Sequence, residues 1–169
     1  MPEQETMQEA MQIAQPGKEH EMLARHEGNW QLTMRAWMSP NDPPMEGTGT
    51  STIRSLLSGR ILTEEVHGDM HGMPFEGFGT MGYDNFHRKY WQTWTDWMTS
   101  LYHADGTGSP DGKTITFTGK MDRPEQGRKD VETRTVYRFL SNDRWIFEMH
   151  NKTPDGKEVK GFEIEYRRK

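Results

Sequence analysis

From residue 30 the chain alternates with a period of two. Trp30, Leu32, Met34, Ala36 and Met38 take every second place, with Gln31, Thr33 and Arg35 among the positions between them. Alternation of this kind puts one set of side chains on one face of an extended strand. The pattern ends at Pro40-Asn41-Asp42-Pro43-Pro44, which reads as a loop. Further strands are predicted at residues 47–57, 60–70, 74–83, 89–98, 100–106, 113–122, 130–140, 144–151 and 158–168. Turn-forming residues separate them, among them Ser58-Gly59, Gly72-Met73-Pro74, Asp84-Asn85, Ser109-Pro110-Asp111-Gly112, Ser141-Asn142-Asp143 and Pro154-Asp155-Gly156. About ten strands joined by short loops favour an antiparallel up-and-down meander, and closing it on itself removes both exposed edges. The expected fold is therefore all-β, a single antiparallel up-and-down β-barrel.

The first residues follow a different period. Met7, Ala10, Met11 and Ala14 recur at helical spacing, so residues 3–14 read as a short amphipathic helix that Pro16-Gly17 breaks. A second short helix, residues 18–27, carries Met22, Leu23 and His26 and stops at Gly28. This divides the chain into an N-terminal helical segment, 1–27, acting as a lid or dimer arm, and a barrel, 28–169.

One strand is aromatic on both faces. Trp91, Thr93, Thr95 and Trp97 fall on one side; Tyr90, Gln92, Trp94, Asp96 and Met98 fall on the other. A carboxylate and an amide beside Trp94 suit the wall of a partly polar cavity, which turns that side inward. Trp91 and Trp97 then face outward, where large rings usually mark a contact or lie under a covering segment. A homodimer through this sheet, or cover from the N-terminal helix, is expected.

With 169 residues one domain is expected. Only 31% of residues are hydrophobic, but 11% are aromatic and sit in patterned segments, which argues against disorder. A net charge of −5 argues against nucleic acid as a partner. There is no apolar run of membrane-spanning length. The first fifteen residues lack the basic and apolar regions of a secretion signal, so the expected location is cytoplasmic, or periplasmic if a signal has been removed. Without cysteine there is no disulfide, thiolate chemistry or cysteine zinc site.

Two resemblances sharpen the fold. Gly28-Asn29-Trp30, directly after a short helix, resembles the G-x-W signature of lipocalins and the wider calycins. The resemblance implies that Trp30 closes the barrel floor and that a last-strand arginine packs across its indole. Arg168 shares parity with Phe162, Ile164 and Tyr166 and is the candidate for that cation–π contact. The stretches "GMPFEGFGTMGYDNFHRKY", "IFEMHNKTPDGKEV" and "FEIEYRRK", with "PGKEHEMLARHEGNW" and "GRILTEE", resemble the bacterial lipocalin-like family called domain of unknown function 1579. Membership implies a calycin-like barrel and no established reaction. The chain departs from the family pattern in its added histidines and tryptophans.

Several arrangements carry candidate chemistry. His67, Asp69 and His71 would share a face in a strand, as a zinc or iron site needs. Same-face neighbours lie about 6–7 Å apart, however, which is wide for one ion, and the predicted turn follows directly. His103 and His150 are candidates for a haem axial ligand, since barrels of the nitrobindin type hold haem through one histidine; the nitrobindin-type G-x-W-x-G-x-G is incomplete here. Glu64 shares parity with Leu62 and Val66 and is the inward member of Glu64-Glu65. Burial would raise its pKa and fit it for general acid–base work, with Asp96 as the second candidate and Glu148 as a third carboxylate. Thirteen methionines with the aromatic residues suit a deformable apolar pocket.

The preferred reading is a barrel that binds a small apolar or aromatic molecule, with no cofactor required. Trp94, Met34, Phe147 and Met149 are the expected walls, and Asp96, Glu64 and Tyr166 the orienting polar groups. The alternatives are a haem or divalent-metal protein using the histidines, an enzyme with a shielded carboxylate, and a dimeric interaction module with a solid barrel.

Overall fold

Ten strands alternate inward and outward residues and pair only with their chain neighbours, apart from the seam that joins the last to the first. The computed structural model describes residues 2–99 and 101–169, with side chains from residue 6 onward. The strands are β1 (Gly28–Ala36), β2 (Met45–Leu56), β3 (Ile61–Met70), β4 (Met73–Asp84) and β5 (Lys89–Asp96), then β6 (Tyr102–Gly108), β7 (Thr114–Arg123), β8 (Arg128–Ser141), β9 (Arg144–Lys152) and β10 (Glu158–Arg168). All pairs are antiparallel, and the pairing of β1 with β10 closes the barrel. Before them lie helices α1 (Pro2–Ile13) and α2 (Lys18–Ala24).

The expected architecture is therefore present, with shifted ends. Residue 100, the predicted start of the sixth strand, lies outside the described residues, and that strand begins at Tyr102. The hairpin after β3 turns at His71-Gly72, one residue earlier than the Gly72-Met73-Pro74 expected, and Met70 pairs with Met73. Both central residues have positive φ, 53° and 81°, as a tight two-residue hairpin requires. Asp69 Oδ1 accepts the Gly72 N–H at 2.7 Å and fixes that turn.

The floor of the barrel is built around Trp30 and Arg168, which face each other across the seam. Trp30 is fully buried, and its indole N–H donates to the His26 carbonyl at 3.0 Å. The Arg168 guanidinium lies over the Trp30 ring, 4.3 Å from its centre. It also donates to the carbonyls of Arg25, Glu27 and Asn142 at 2.8–2.9 Å. A single side chain thus ties together the end of α2, the start of β1, the β8–β9 turn and β10. Leu23 and His26 plug this end, both buried. The described side chains of α1 are exposed. The helix is tethered by Asn85, whose amide donates to the Ile13 and Gln15 carbonyls at 2.7 Å each. No helix is long and apolar enough to cross a membrane among the described residues.

Trp94 faces inward and lies across Gly77 and Gly79 of the neighbouring strand. A methyl group at Gly77 would overlap the ring atoms Cζ2 and Cη2 of Trp94. The Gly77→Ala variant should therefore lose about 1–3 kcal/mol, the usual range for overpacking. Urea unfolding followed by tryptophan fluorescence measures this. An unchanged midpoint would mean the indole can move aside without cost.

Candidate functional site

Register fixes the lumen-facing set. Glu64 of β3 stands opposite Ile53 of β2 on one side and Gly79 of β4 on the other. Trp94 stands opposite Gly79 and Tyr102. Tyr137 and Phe139 of β8, Trp145 of β9 and Tyr166 of β10 complete the opposite wall by the same alternation. Between these walls, above Leu23 and His26 of the floor, lies a cavity of about 40 Å³. That is room for roughly three waters, taking about 10–15 Å³ for each. Leu62, Glu64, Met81, Gln92, Trp94 and Trp145 are among the residues bordering it.

The polar groups of the lumen differ in how far their bonding capacity is used. Gln92 is spent: its amide donates to Thr135 Oγ1 at 2.7 Å, and its carbonyl accepts the Tyr137 hydroxyl at 2.8 Å. Glu64 is half-spent. Its Oε1 accepts the Ser51 hydroxyl at 2.7 Å and the Tyr166 hydroxyl at 2.9 Å, while Oε2 takes no hydrogen bond from the described residues. Burial pushes the Glu64 carboxyl above the ordinary carboxylate range, and the two hydroxyl donors pull it part of the way back. Burial likewise raises the phenols of Tyr137 and Tyr166 well above their usual value, helped by the Glu64 charge. The Tyr102 phenol is pushed up to about 12, chiefly by burial. Its hydroxyl and the Trp145 indole N–H are buried without an aligned partner.

His26 completes the site from below. Its Nδ1–H donates to the Leu23 carbonyl at 3.2 Å, and its ring packs on Phe139 with centres 4.2 Å apart. Burial lowers its pKa to about 4, with Arg168 and Arg25 adding to the effect and backbone hydrogen bonds opposing it.

Of the residues expected to form a site, Glu64 and Trp94 border the cavity. Tyr166 touches it through Glu64. Met34, Phe147 and Met149 face the lumen but are not among the residues bordering the cavity; Met34 is fully buried in the core. Asp96 ends β5 instead of working in the lumen. Its Oδ2 accepts the Trp94 indole N–H at 2.8 Å, and its Oδ1 accepts the backbone N–H groups of Met98 and Thr99 at 2.9 and 2.6 Å. The sequence reading passed over Ser51, Gln92's partners, Tyr137, Trp145 and the floor position of His26. Alternation could have signalled Ser51 and Tyr137; the fold of α2 over the floor had no sequence signal.

The other histidines lie outside the lumen. His67 and Asp69 do share an outer face, but His67 Nδ1 is 3.3 Å from Glu76 Oε1 and Asp69 serves the turn. His71 sits in that turn with positive φ, so the three do not converge. His103 and His150 alternate out of phase with the buried Tyr102, Ala104 and Trp145 and project from the barrel exterior. His150 stands between Glu148 and Glu158, its Nε2 3.9 Å from Glu148 Oε2. Glu148 likewise faces outward and pairs with Arg138 at 3.1 Å. No group of three or more metal-ligating side chains converges among the described residues. Trp91 lies against Gly82, where a methyl would come 2.6 Å from Cζ2, so its own sheet half-covers it. Trp97 falls past the end of β5 and is 65% exposed.

A closed antiparallel barrel with a tryptophan–arginine floor and an interior cavity is a lipocalin-like fold. Residues 15–168 match the family model described as "Protein of unknown function (DUF1579)", and the chain belongs to that family. Similar solved structures include Rv2717c from M. tuberculosis, 14% identical, with 92% of this chain and 99% of that one covered and a TM-score of 0.66. The S-type phycobiliprotein lyase CPES from Guillardia theta is similar at 13% identity, 91% and 98% coverage and a TM-score of 0.63. The structure of EF1p2_mFAP2b bound to DFHBI is similar at 14% identity, 90% and 100% coverage and a TM-score of 0.50. At these identities the likeness is one of fold. No functionally curated protein matches the sequence.

The His26 shift has a defined consequence for stability. Its folded pKa of about 4 lies below the unfolded value of 6.5. The unfolded chain therefore binds the extra proton between these values, and stability is lost as pH falls from about 6.5 towards 4, by on the order of 3 kcal/mol in full. Glu64, raised in the folded state, acts oppositely: its contribution is present at low pH and fades as pH rises through its folded pKa. Urea unfolding across this range should show a steep acid limb in the wild type. His26→Phe, which keeps a ring against Phe139, should flatten it; an equally steep limb would assign the acid loss elsewhere.

Proposed function

We propose that the protein binds a small, largely apolar or aromatic molecule inside the barrel, with Glu64 as the orienting polar group. The observation that carries this reading is the interior cavity, lined in part by aromatic rings and bordered by Glu64, whose Oε2 takes no hydrogen bond from the described residues. Concave apolar sites with a few placed polar groups are the usual form of small-molecule sites. Binding would draw on the apolar area of Leu62, Met81, Trp94 and Trp145, at about 25 cal/mol per Å² buried. The volume limits the occupant. Only a few non-hydrogen atoms fit the cavity as it stands, so a whole aromatic ring enters only if the half-buried Met81 and Phe139 give way. Support from the fold is of a general kind: EF1p2_mFAP2b, which is similar in fold, is bound to DFHBI.

Self-association is the second partner reading. What supports it is the exposure of Trp97, Met98 and Leu101 beside one another at the β5–β6 turn. It would be seen as a concentration-dependent sedimentation coefficient that Trp97→Ala abolishes.

The ligand reading is tested by native mass spectrometry and tryptophan fluorescence with a panel of small apolar and aromatic compounds. Saturable one-to-one binding is expected in the wild type. Met81→Trp, which puts bulk into the cavity, should weaken it at least about tenfold with the far-UV spectrum unchanged. Binding that survives Met81→Trp undiminished would place the ligand elsewhere, and no binding by any compound would leave a filled barrel.

A further inference from the structure

The carboxyl group of Glu64 on the cavity wall would select among ligands by charge as well as by shape. This step rests on the reading of the cavity as the binding site. Among the described residues Glu64 is the one carboxylate bordering the cavity, and no lysine or arginine borders it. From β2, Ser51 gives its hydroxyl to Oε1; from β10, Tyr166 does the same. From β5 and β8, Gln92 and Tyr137 satisfy each other. From the floor, the His26 N–H is engaged with the Leu23 carbonyl. The nearby Asp96 is held by Trp94 and two backbone amides. The Trp145 indole N–H, which also borders the cavity, has no aligned partner, and no neighbour brings a positive charge. An ionised Glu64 is left with a bare Oε2 and no counter-ion.

We infer that the cavity takes a small protonated amine, its ammonium group against Glu64 Oε2 and its alkyl groups against Trp94, Met81 and Phe139. An ammonium supplies both missing things at once, a donor and a charge. Charge-assisted hydrogen bonds are roughly twice as strong as neutral ones, and a buried carboxylate without a counter-charge is costly. Aromatic walls accept a cation more readily than aliphatic ones do. A neutral alcohol of the same size would supply the donor and leave the charge uncompensated; an anion would add a second like charge. The cavity volume sets the scale at about three to five non-hydrogen atoms.

The sign of the pH dependence separates this ligand class from its rival. Burial holds the proton on empty Glu64 above the ordinary range. An ammonium must displace that proton, so amine binding tightens as pH rises through the folded pKa of Glu64. A ketone or other acceptor would bind the protonated acid and weaken over the same range.

The test uses isopropylammonium chloride against 2-propanol, which match in non-hydrogen atom count, with the full chain. Indole N–H resonances are followed by NMR at about pH 5 and about pH 8. Expected are saturable shifts with isopropylammonium, tighter at the higher pH and at least about tenfold tighter than with 2-propanol. Glu64→Gln, near-isosteric and still able to accept from Ser51 and Tyr166, should weaken the amine at least about tenfold. The wild-type comparison of the two probes stands even if that variant is poorly folded. Equal binding of 2-propanol, or amine binding that weakens with rising pH, would overturn the amine assignment and leave the cavity as a binding site. No shift with either probe would overturn both.

Discussion

Everything inside the barrel depends on the seam where β1 meets β10. A ten-strand meander left open would present two edges and could not hold opposite walls at a fixed distance. The Trp30–Arg168 pair marks the register of that seam, and with it Leu32 stands opposite Tyr166 and Met34 opposite Ile164. Arg168 reaches backbone carbonyls of two other segments as well, so it sets the floor and the closure together. The Tyr166 hydroxyl meets Glu64 only because the sheet is closed: the two lie 102 residues apart, yet β10 and β3 are separated in the barrel by just β1 and β2. Slipping the seam by one residue would turn Tyr166 outward and strand the carboxyl.

Closure alone would make a filled cylinder or an open one, depending on side-chain volumes. Here the two halves of the wall are unequal. Gly68, Gly77 and Gly79 face inward on β3 and β4, leaving space that Met34 and Trp94 occupy. The opposite wall is crowded by rings: Trp145 stacks on Tyr166 with centres 3.4 Å apart and on Tyr137 at 5.7 Å. The rings reach across towards the thin side and fill nearly all of it. What survives is a small gap beside Glu64.

Much of this was legible in the chain because a strand has only two faces. Parity alone puts Trp94 and Glu64 inward and Trp91 and His67 on the outside. It also explains the residues whose roles it mistook. Asp96 has inward parity, but the next residues leave the strand, and a carboxylate at that point is worth more as a cap for two free amides than as a lumen group. His71 would align with His67 only if the strand ran on, and Asp69 and Gly72 turn the chain there, one residue sooner than the turn residues alone suggest. The role of His26 was beyond pattern reading, since nothing local says that a seven-residue helix folds back to plug the floor. Cavity size was also beyond it, because it depends on which rings lean across the lumen rather than on which face they share.

Gln92 and Glu64 differ in how far the wall satisfies them. Both are long polar side chains in an otherwise apolar lumen, and both meet a tyrosine hydroxyl. The amide of Gln92 finds a donor and an acceptor within the wall, so it behaves as structure: it fixes Tyr137 and Thr135 and offers nothing further. A glutamine at position 64 could use Ser51 and Tyr166 in the same way, and it would remove a buried ionisable group. The carboxyl instead costs desolvation that its two donors only partly offset. On the proposed reading, an occupant that completes the bonding of Oε2 would relieve that cost. Glu64 would in that case gain from binding what Gln92 already has from the wall.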